Sequence, residues 1–222
     1  MLQRQESRCV MLKKSIYPKT KRVACKGNKI VITEKLDGAN LCFFKYNDAV
    51  YISQRRFVYS LYEIDSKEVK AIIYKGLREW IEVNKDVLLN LNEGSVICGE
   101  WLGMGGRIKY TKENGFDKDF YMYAKANING ILELYNLKYD HELFIYSFKD
   151  EVIPDCIGLV PIVSIKRSFA PNKDNLDKLY EEYVDKVNRK VEGFVINDNN
   201  RISKYVRYKK GKLTEHFDRE NE

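Results

Sequence analysis

Ile32-Thr33-Glu34-Lys35-Leu36-Asp37-Gly38-Ala39-Asn40 is the stretch whose reading decides the rest. The β-branched, apolar run Ile30 to Thr33 leads into it, and Leu41 to Phe44 leads out. Two strands with a turn dipeptide, Asp37-Gly38, between them is the local expectation. Gly38 permits a tight backbone and the close approach of a ligand. Lys35 then stands at a strand end beside a loop that a ligand can reach. Desolvation or neighbouring cations there lower an amine's pKa and make it a nucleophile. The competing reading of these nine residues is a β-hairpin carrying an ordinary surface lysine.

Outward from this stretch the chain reads as α+β with mostly antiparallel sheets flanked by helices. Leu41–Tyr46 and Ala49–Gln54 flank Asn47-Asp48 as a hairpin. Val69, Ile72, Ile73, Leu77, Trp80 and Ile81 recur at three and four, which predicts a helix over 66–84. Strands are expected at Ser95–Trp101, Phe120–Ala124, Ile131–Leu137 and Val160–Ile165. The stretch 140–148 reads as a short helix or another strand. An amphipathic helix is expected from Asn172 to Val187, and a second hairpin from Val191–Asn197 and Arg201–Lys209. The 222 residues suit a single domain over 1–222, without internal repeats or a clear linker.

Composition narrows the class. Hydrophobic content of 44% and charged content of 32% fit a globular protein. No apolar run reaches the roughly 18 residues of a membrane span, and no secretory signal is visible. Five scattered cysteines without a C-x-x-C pair indicate neither a disulfide framework nor a zinc site. An intracellular, cytoplasmic setting is expected, with the nucleus as the alternative. The net charge of +7 favours a polyanionic partner. Lysines and arginines crowd residues 1–29, as a phosphate-contacting face or a solvated charge run.

Further chemistry-bearing residues join Lys35. Glu100 sits within the apolar strand Cys98-Gly99-Glu100-Trp101, and Glu192 stands at the head of Gly193-Phe194-Val195. A carboxylate in such a strand needs a cation, a metal or a hydroxyl as partner. Arg55 follows a strand. Lys204, Arg207 and Lys209 line a late strand, where Arg207 and Lys209 are expected on one face. A lysine amine attacking an α-phosphate is coherent with this set. Carboxylates would hold a divalent metal, and cations would clamp the phosphates.

Lys35-Leu36-Asp37-Gly38 resembles motif I of the covalent nucleotidyltransferases, which comprise DNA ligases, RNA ligases and mRNA capping enzymes. Cys98-Gly99-Glu100 resembles their motif III, Glu192-Gly193-Phe194-Val195 motif IV, and Lys204 to Lys209 motif V. Glu34-Lys35-x-x-Gly38-x-Asn40 is similar to the E-K-x-x-G-x-N of the RNA ligase 2-like group. Asp37 departs from that group's histidine and leans toward the wider K-x-D-G pattern. Arg55 resembles the motif Ia arginine. For motif IIIa, Phe120 lies 20 residues past Glu100, a spacing similar to phage members, with Phe144 to Phe148 as the rival register.

The resemblance implies a nucleotidyltransferase fold and an ATP-dependent RNA ligase, with ATP and Mg2+ or Mn2+ as cofactors. Lys35 would take AMP, with RNA ends, including those of a nicked duplex, as partners in RNA repair. It implies that Arg207 and Lys209 serve catalysis on the α-phosphate. Glu34, Leu36, Asp37, Gly38, Asn40, Arg55, Glu100, Phe120 and Lys204 would bind nucleotide, and Glu100 and Glu192 metal. The alternatives are a DNA ligase, a GTP-dependent capping enzyme, or a non-catalytic RNA-binding protein on the same fold. Only 13 residues follow Lys209, too few for a C-terminal OB domain. That leads to the expectation of a minimal ligase, a truncated chain, or a module completed by a partner protein that supplies substrate binding.

Overall fold

The structure, a computed structural model, describes residues 10–11, 21–22, 30–54, 57–61, 74–103, 108–127, 153–166, 169–197, 202–209 and 212–213. In chain order its strands are β1 (Val10–Met11), β2 (Lys21–Arg22), β3 (Ile30–Lys35), β4 (Ala39–Tyr46), β5 (Ala49–Gln54), β6 (Phe57–Ser60), β7 (Ser95–Trp101), β8 (Phe120–Asn127), β9 (Ile157–Leu159), β10 (Ile162–Lys166), β11 (Gly193–Asn197), β12 (Ile202–Val206), β13 (Tyr208–Lys209) and β14 (Lys212–Leu213). The helices are α1 (Leu77–Leu89) and α2 (Lys173–Val187). Among the described residues one sheet has seven strands in the order β1-β6-β5-β4-β7-β8-β9, a second has five in the order β10-β3-β11-β12-β2, and β13 pairs with β14 alone. All pairings are antiparallel except β8 with β9 and β12 with β2. This is an α+β architecture of mostly antiparallel sheets flanked by helices, as the sequence implies.

Each of the two large sheets has its own helix. α1 lies on the seven-stranded sheet, where the Trp80 ring centre is 5.6 Å from Phe43, 5.9 Å from Trp101 and 6.1 Å from Phe120. α2 buries Leu176, Tyr180 and Tyr183 against Ile30, Ile32, Phe194, Ile196 and Tyr205 of the five-stranded sheet. Its spacing was readable, and its N-terminus is capped by Asn172, whose side chain accepts from the Asn175 amide at 2.9 Å. Leu176 is fully buried. Leu176→Ala therefore costs about 2–5 kcal/mol in a urea titration, the range for a large-to-small change in a packed core.

The Asn47-Asp48 hairpin forms as expected, with both residues in the left-handed region (φ 48 and 59). The helix expected over 66–84 differs. α1 begins at Leu77, because Gly76 before it is left-handed (φ 80), and continues to Leu89. Val69, Ile72 and Ile73 lie outside the described residues, as do the expected elements at Ile131–Leu137 and 140–148. Among the described residues, no helix is long and apolar enough to cross a membrane.

Candidate active site

The stretch 36–38 does not close a hairpin. β3 pairs with β10 and β11, whereas β4 pairs with β5 and β7. Leu36-Asp37-Gly38 instead carries the chain from one sheet to the other, and Lys35 is the last residue before the crossing. The hairpin reading of this stretch is therefore corrected. Two strands in succession are legible locally, but which sheet each joins is set by distant partners.

Close approach fixes the crossing. A β-carbon on Gly38 would stand 2.4 Å from the Trp101 carbonyl oxygen and 2.9 Å from Glu100 Cγ. The Gly38 amide donates to Glu100 Oε1 at 3.2 Å. The Asp37 amide donates to the Tyr110 hydroxyl at 2.7 Å. Leu36 is buried between them and anchors the turn in the core. Gly38→Ala must displace β7 backbone, and it lowers stability by about 1–3 kcal/mol in chemical denaturation, as overpacking does.

The crossing brings Lys35 to two carboxylates. Its Nζ lies 2.6 Å from Glu192 Oε2, with the side chains 25% and 13% exposed. Gly193 is the register partner of Lys35, so Glu192 stands just beyond the end of β3. The Glu192 carbonyl accepts the amides of Arg207 and Tyr208 at 2.9 and 3.0 Å. A β-carbon at Gly193 would stand 2.0 Å from the Tyr205 carbonyl oxygen, so the residue after Glu192 has to be glycine. Glu100 sits opposite Asn40 across β4 and β7.

Burial raises the pKa of Glu100 to about 7, although Lys35 opposes it. Burial also raises that of Glu192, against the pull of Lys35 and Lys204. For Lys35, burial works downward, but Glu192 and Glu100 together outweigh it and the pKa rises. This corrects the expectation of a lowered amine pKa: the neighbours of Lys35 are anions, not cations. The site is a charged cluster in which two carboxylates hold the amine protonated.

Glu100 and Glu192 offer carboxylate oxygens, the donor type that a hard divalent cation takes. Among the described residues, no group of three His, Cys, Asp or Glu side chains could hold a metal. A site with two carboxylates, completed by ligand oxygens and water, suits Mg2+ or Mn2+ better than an all-protein cage. The incompletely compensated Glu100 supports such a role.

The other predicted residues divide. Asn40 is at the site: its side-chain amide donates to the Tyr123 hydroxyl, and its carbonyl accepts from Tyr74 at 2.9 Å. Lys204 pairs with Val195, which pairs with Thr33, on the Lys35 side of the sheet. Glu34 is adjacent in sequence but faces α2, where Arg189 and Tyr183 hold it.

Phe120 is not in the site and is corrected to a core residue. It is fully buried, edge-on to Phe43 at 5.3 Å. Phe120 pairs with Trp101 and shares its core face, whereas Tyr123, at the register shift between Cys98 and Gly99, is the aromatic that reaches Asn40. Arg207 also faces away from Lys35. Its guanidinium lies 3.5 Å from Asp177 and over the Tyr180 ring at 5.8 Å, both on α2. The late strand breaks at Arg207, where its amide and that of Tyr208 turn to Glu192. The alternation expected along this strand therefore does not run on through Arg207. Arg55 and the Lys209 side chain lie outside what the structure describes.

Tyr110, Tyr123 and Arg189 were missed from sequence. Tyr123 carried a signal, as the aromatic three residues after Phe120 on the same strand. Tyr110 and Arg189 sit in loops and carried none.

The model of the RNA ligase family matches residues 28–210. No curated protein sequence matches the chain significantly. Solved structures of an RNA ligase from Naegleria gruberi share the fold. A lysine-to-alanine variant with ATP and manganese aligns with a TM-score of 0.50 and 15% identity, over 90% of this chain and 62% of that one. A glutamate-to-alanine variant with AMP and manganese gives 0.50 and 16%, over 90% and 61%. This chain thus spans less than two thirds of their length. With the family model matched from before the Lys35 crossing to beyond Lys209, the chain belongs to the RNA ligase family, within the covalent nucleotidyltransferases.

Proposed function

We propose that this chain is the adenylylating module of an ATP-dependent RNA ligase. The observation that carries the reading is Lys35, poised between Glu192 and Glu100 at the crossing of two sheets, in a chain of this family. ATP and AMP with manganese in the Naegleria gruberi structures support a nucleotide and a divalent cation as ligands.

The first step forms a bond from Lys35 Nζ to the α-phosphorus and breaks the α–β bridge, releasing pyrophosphate. The amine must first lose a proton, and Glu192 Oε2 is its hydrogen-bonded acceptor. The lysyl phosphoramidate is then attacked by an RNA 5′-phosphate oxygen, and Lys35 regains its proton as the P–N bond breaks. A 3′-hydroxyl finally displaces AMP. Asn40 and Tyr123 face the nucleotide, and Lys204 contributes positive charge beside Glu192. When bound at Glu100 and Glu192, Mg2+ or Mn2+ neutralises charge on the phosphate oxygens.

Intact mass after incubation with ATP, GTP or NAD and magnesium tests this reading. One added AMP from ATP alone is expected. GMP from GTP indicates a capping enzyme, and no adduct leaves a binding protein. Asp37, in place of the RNA ligase group's histidine, favours a DNA ligase as second reading. Sealing of nicked RNA against nicked DNA separates those two.

A further inference from the structure

Arg189 lies where α2 ends. Asn188 caps the helix in the left-handed conformation (φ 48), and the chain turns back toward β3. The guanidinium then meets Glu34 at two points, Nη1 to Oε1 at 2.6 Å and Nη2 to Oε2 at 2.5 Å. The two side chains are 9% and 0% exposed. The Tyr183 hydroxyl donates to the same carboxylate at 2.8 Å. The guanidinium carbon stands 4.6 Å from the Phe116 ring centre and 5.8 Å from that of Tyr110. Tyr110 in turn accepts the Asp37 amide.

A buried ion pair is a weak source of net stability, because desolvation offsets the attraction. Its best-attested use is to fix one arrangement against others. What this pair fixes follows from its neighbours. Glu34 immediately precedes Lys35, and Arg189 lies three residues before Glu192. The intervening chain is pinned as well: the Val191 carbonyl accepts from the Tyr180 hydroxyl at 2.7 Å. One side chain thus ties both halves of the Lys35–Glu192 contact, and through Tyr110 it also steadies the residue before Gly38.

We propose that Arg189 is a positioning residue, which holds Lys35 Nζ and Glu192 Oε2 in register through Glu34 on one side and the 189–192 turn on the other. It touches neither nucleotide nor metal in this scheme. The proposal rests on the adenylylation reading for its kinetic consequence, but not for its structural one. A reactive group displaced by about 1 Å loses on the order of 10²-fold in rate.

The test uses Arg189→Lys, which keeps the charge but loses the two-point fork and the flat stacking surface. Phe116→Leu is the second variant. It removes the surface under the guanidinium and leaves no unpaired charge should Arg189→Lys fail to fold. In folded protein, each lowers kcat for self-adenylylation by about 10- to 100-fold, with KM for ATP within about twofold. The double variant is no worse than the poorer single, because both act through one guanidinium. Hydrogen exchange rises locally over residues 32–38, with the melting temperature within a few degrees of wild type. Wild-type kcat in either folded variant, or multiplicative losses in the double, overturns the proposal. If wild type takes no AMP, the function reading fails. The exchange measurement then decides the positioning role alone, and unchanged protection over 32–38 in Arg189→Lys overturns it.

Discussion

Lys35→Arg yields a folded protein that carries no covalent nucleotide. The cation is retained, so Glu192 and Glu100 keep a partner and the sheet crossing keeps its electrostatic balance. The chemistry does not survive, because a guanidinium stays protonated across the accessible pH range and offers no lone pair. Intact mass after ATP and magnesium reads the result directly, and a mutant that still gains AMP removes Lys35 from the nucleophile's role. Lys35→Ala separates the steps further. It cannot accept AMP, yet a pre-adenylylated strand already carries the activated phosphate. Joining of that strand to a 3′-hydroxyl therefore persists in the folded mutant, while joining of a plain 5′-phosphate end disappears. Loss of both indicates that the lysine cation also serves the sealing step.

How far the sequence reached differs residue by residue, for physical reasons. Lys35, Glu100 and Glu192 were legible because each combines a charged side chain with an apolar strand and a glycine within three residues. The close contacts of Gly38 and Gly193 with neighbouring backbone show why those glycines stand there. α2 was legible because its burial follows from spacing alone. The division of β3 and β4 between two sheets was not, since pairing partners lie far along the chain. Phe120 misled because its distance along the chain from Glu100 does not say which face of β8 it takes, and its pairing with Trp101 turns it into the core. Arg207 misled because alternation was counted past the point where the strand stops for two hydrogen bonds to the Glu192 carbonyl. The direction of the Lys35 pKa depended on which charges fold against it, and those came from residues 65 and 157 positions away.

That direction makes Glu192→Gln the most informative carboxylate variant, because two effects of opposite sign compete. Glu192 is the largest influence raising the Lys35 pKa. Without it burial gains weight, the pKa falls, and more of the amine is free at a given pH. A general amine reagent such as acetic anhydride should therefore label Lys35 faster in the variant. If deprotonation alone limited adenylylation, that reaction would speed up as well. The proposed site requires the reverse, since Glu192 is both the proton's acceptor and a carboxylate for the metal. Loss of one charge-stabilising group of this kind lowers the rate by about 10²–10³-fold. The pH profile carries the same argument. In wild type, Glu100 ionises through about 7 and the Lys35 amine deprotonates only well above neutrality. Both changes favour reaction as pH rises, so single-turnover adenylylation climbs most steeply below pH 7 and more gently above it. Glu192→Gln should keep the fall below neutrality, move the upper limb to lower pH, and lie beneath the wild-type curve throughout. A variant that labels faster and adenylylates faster shows that Glu192 only restrains the amine, and takes it out of the catalytic set.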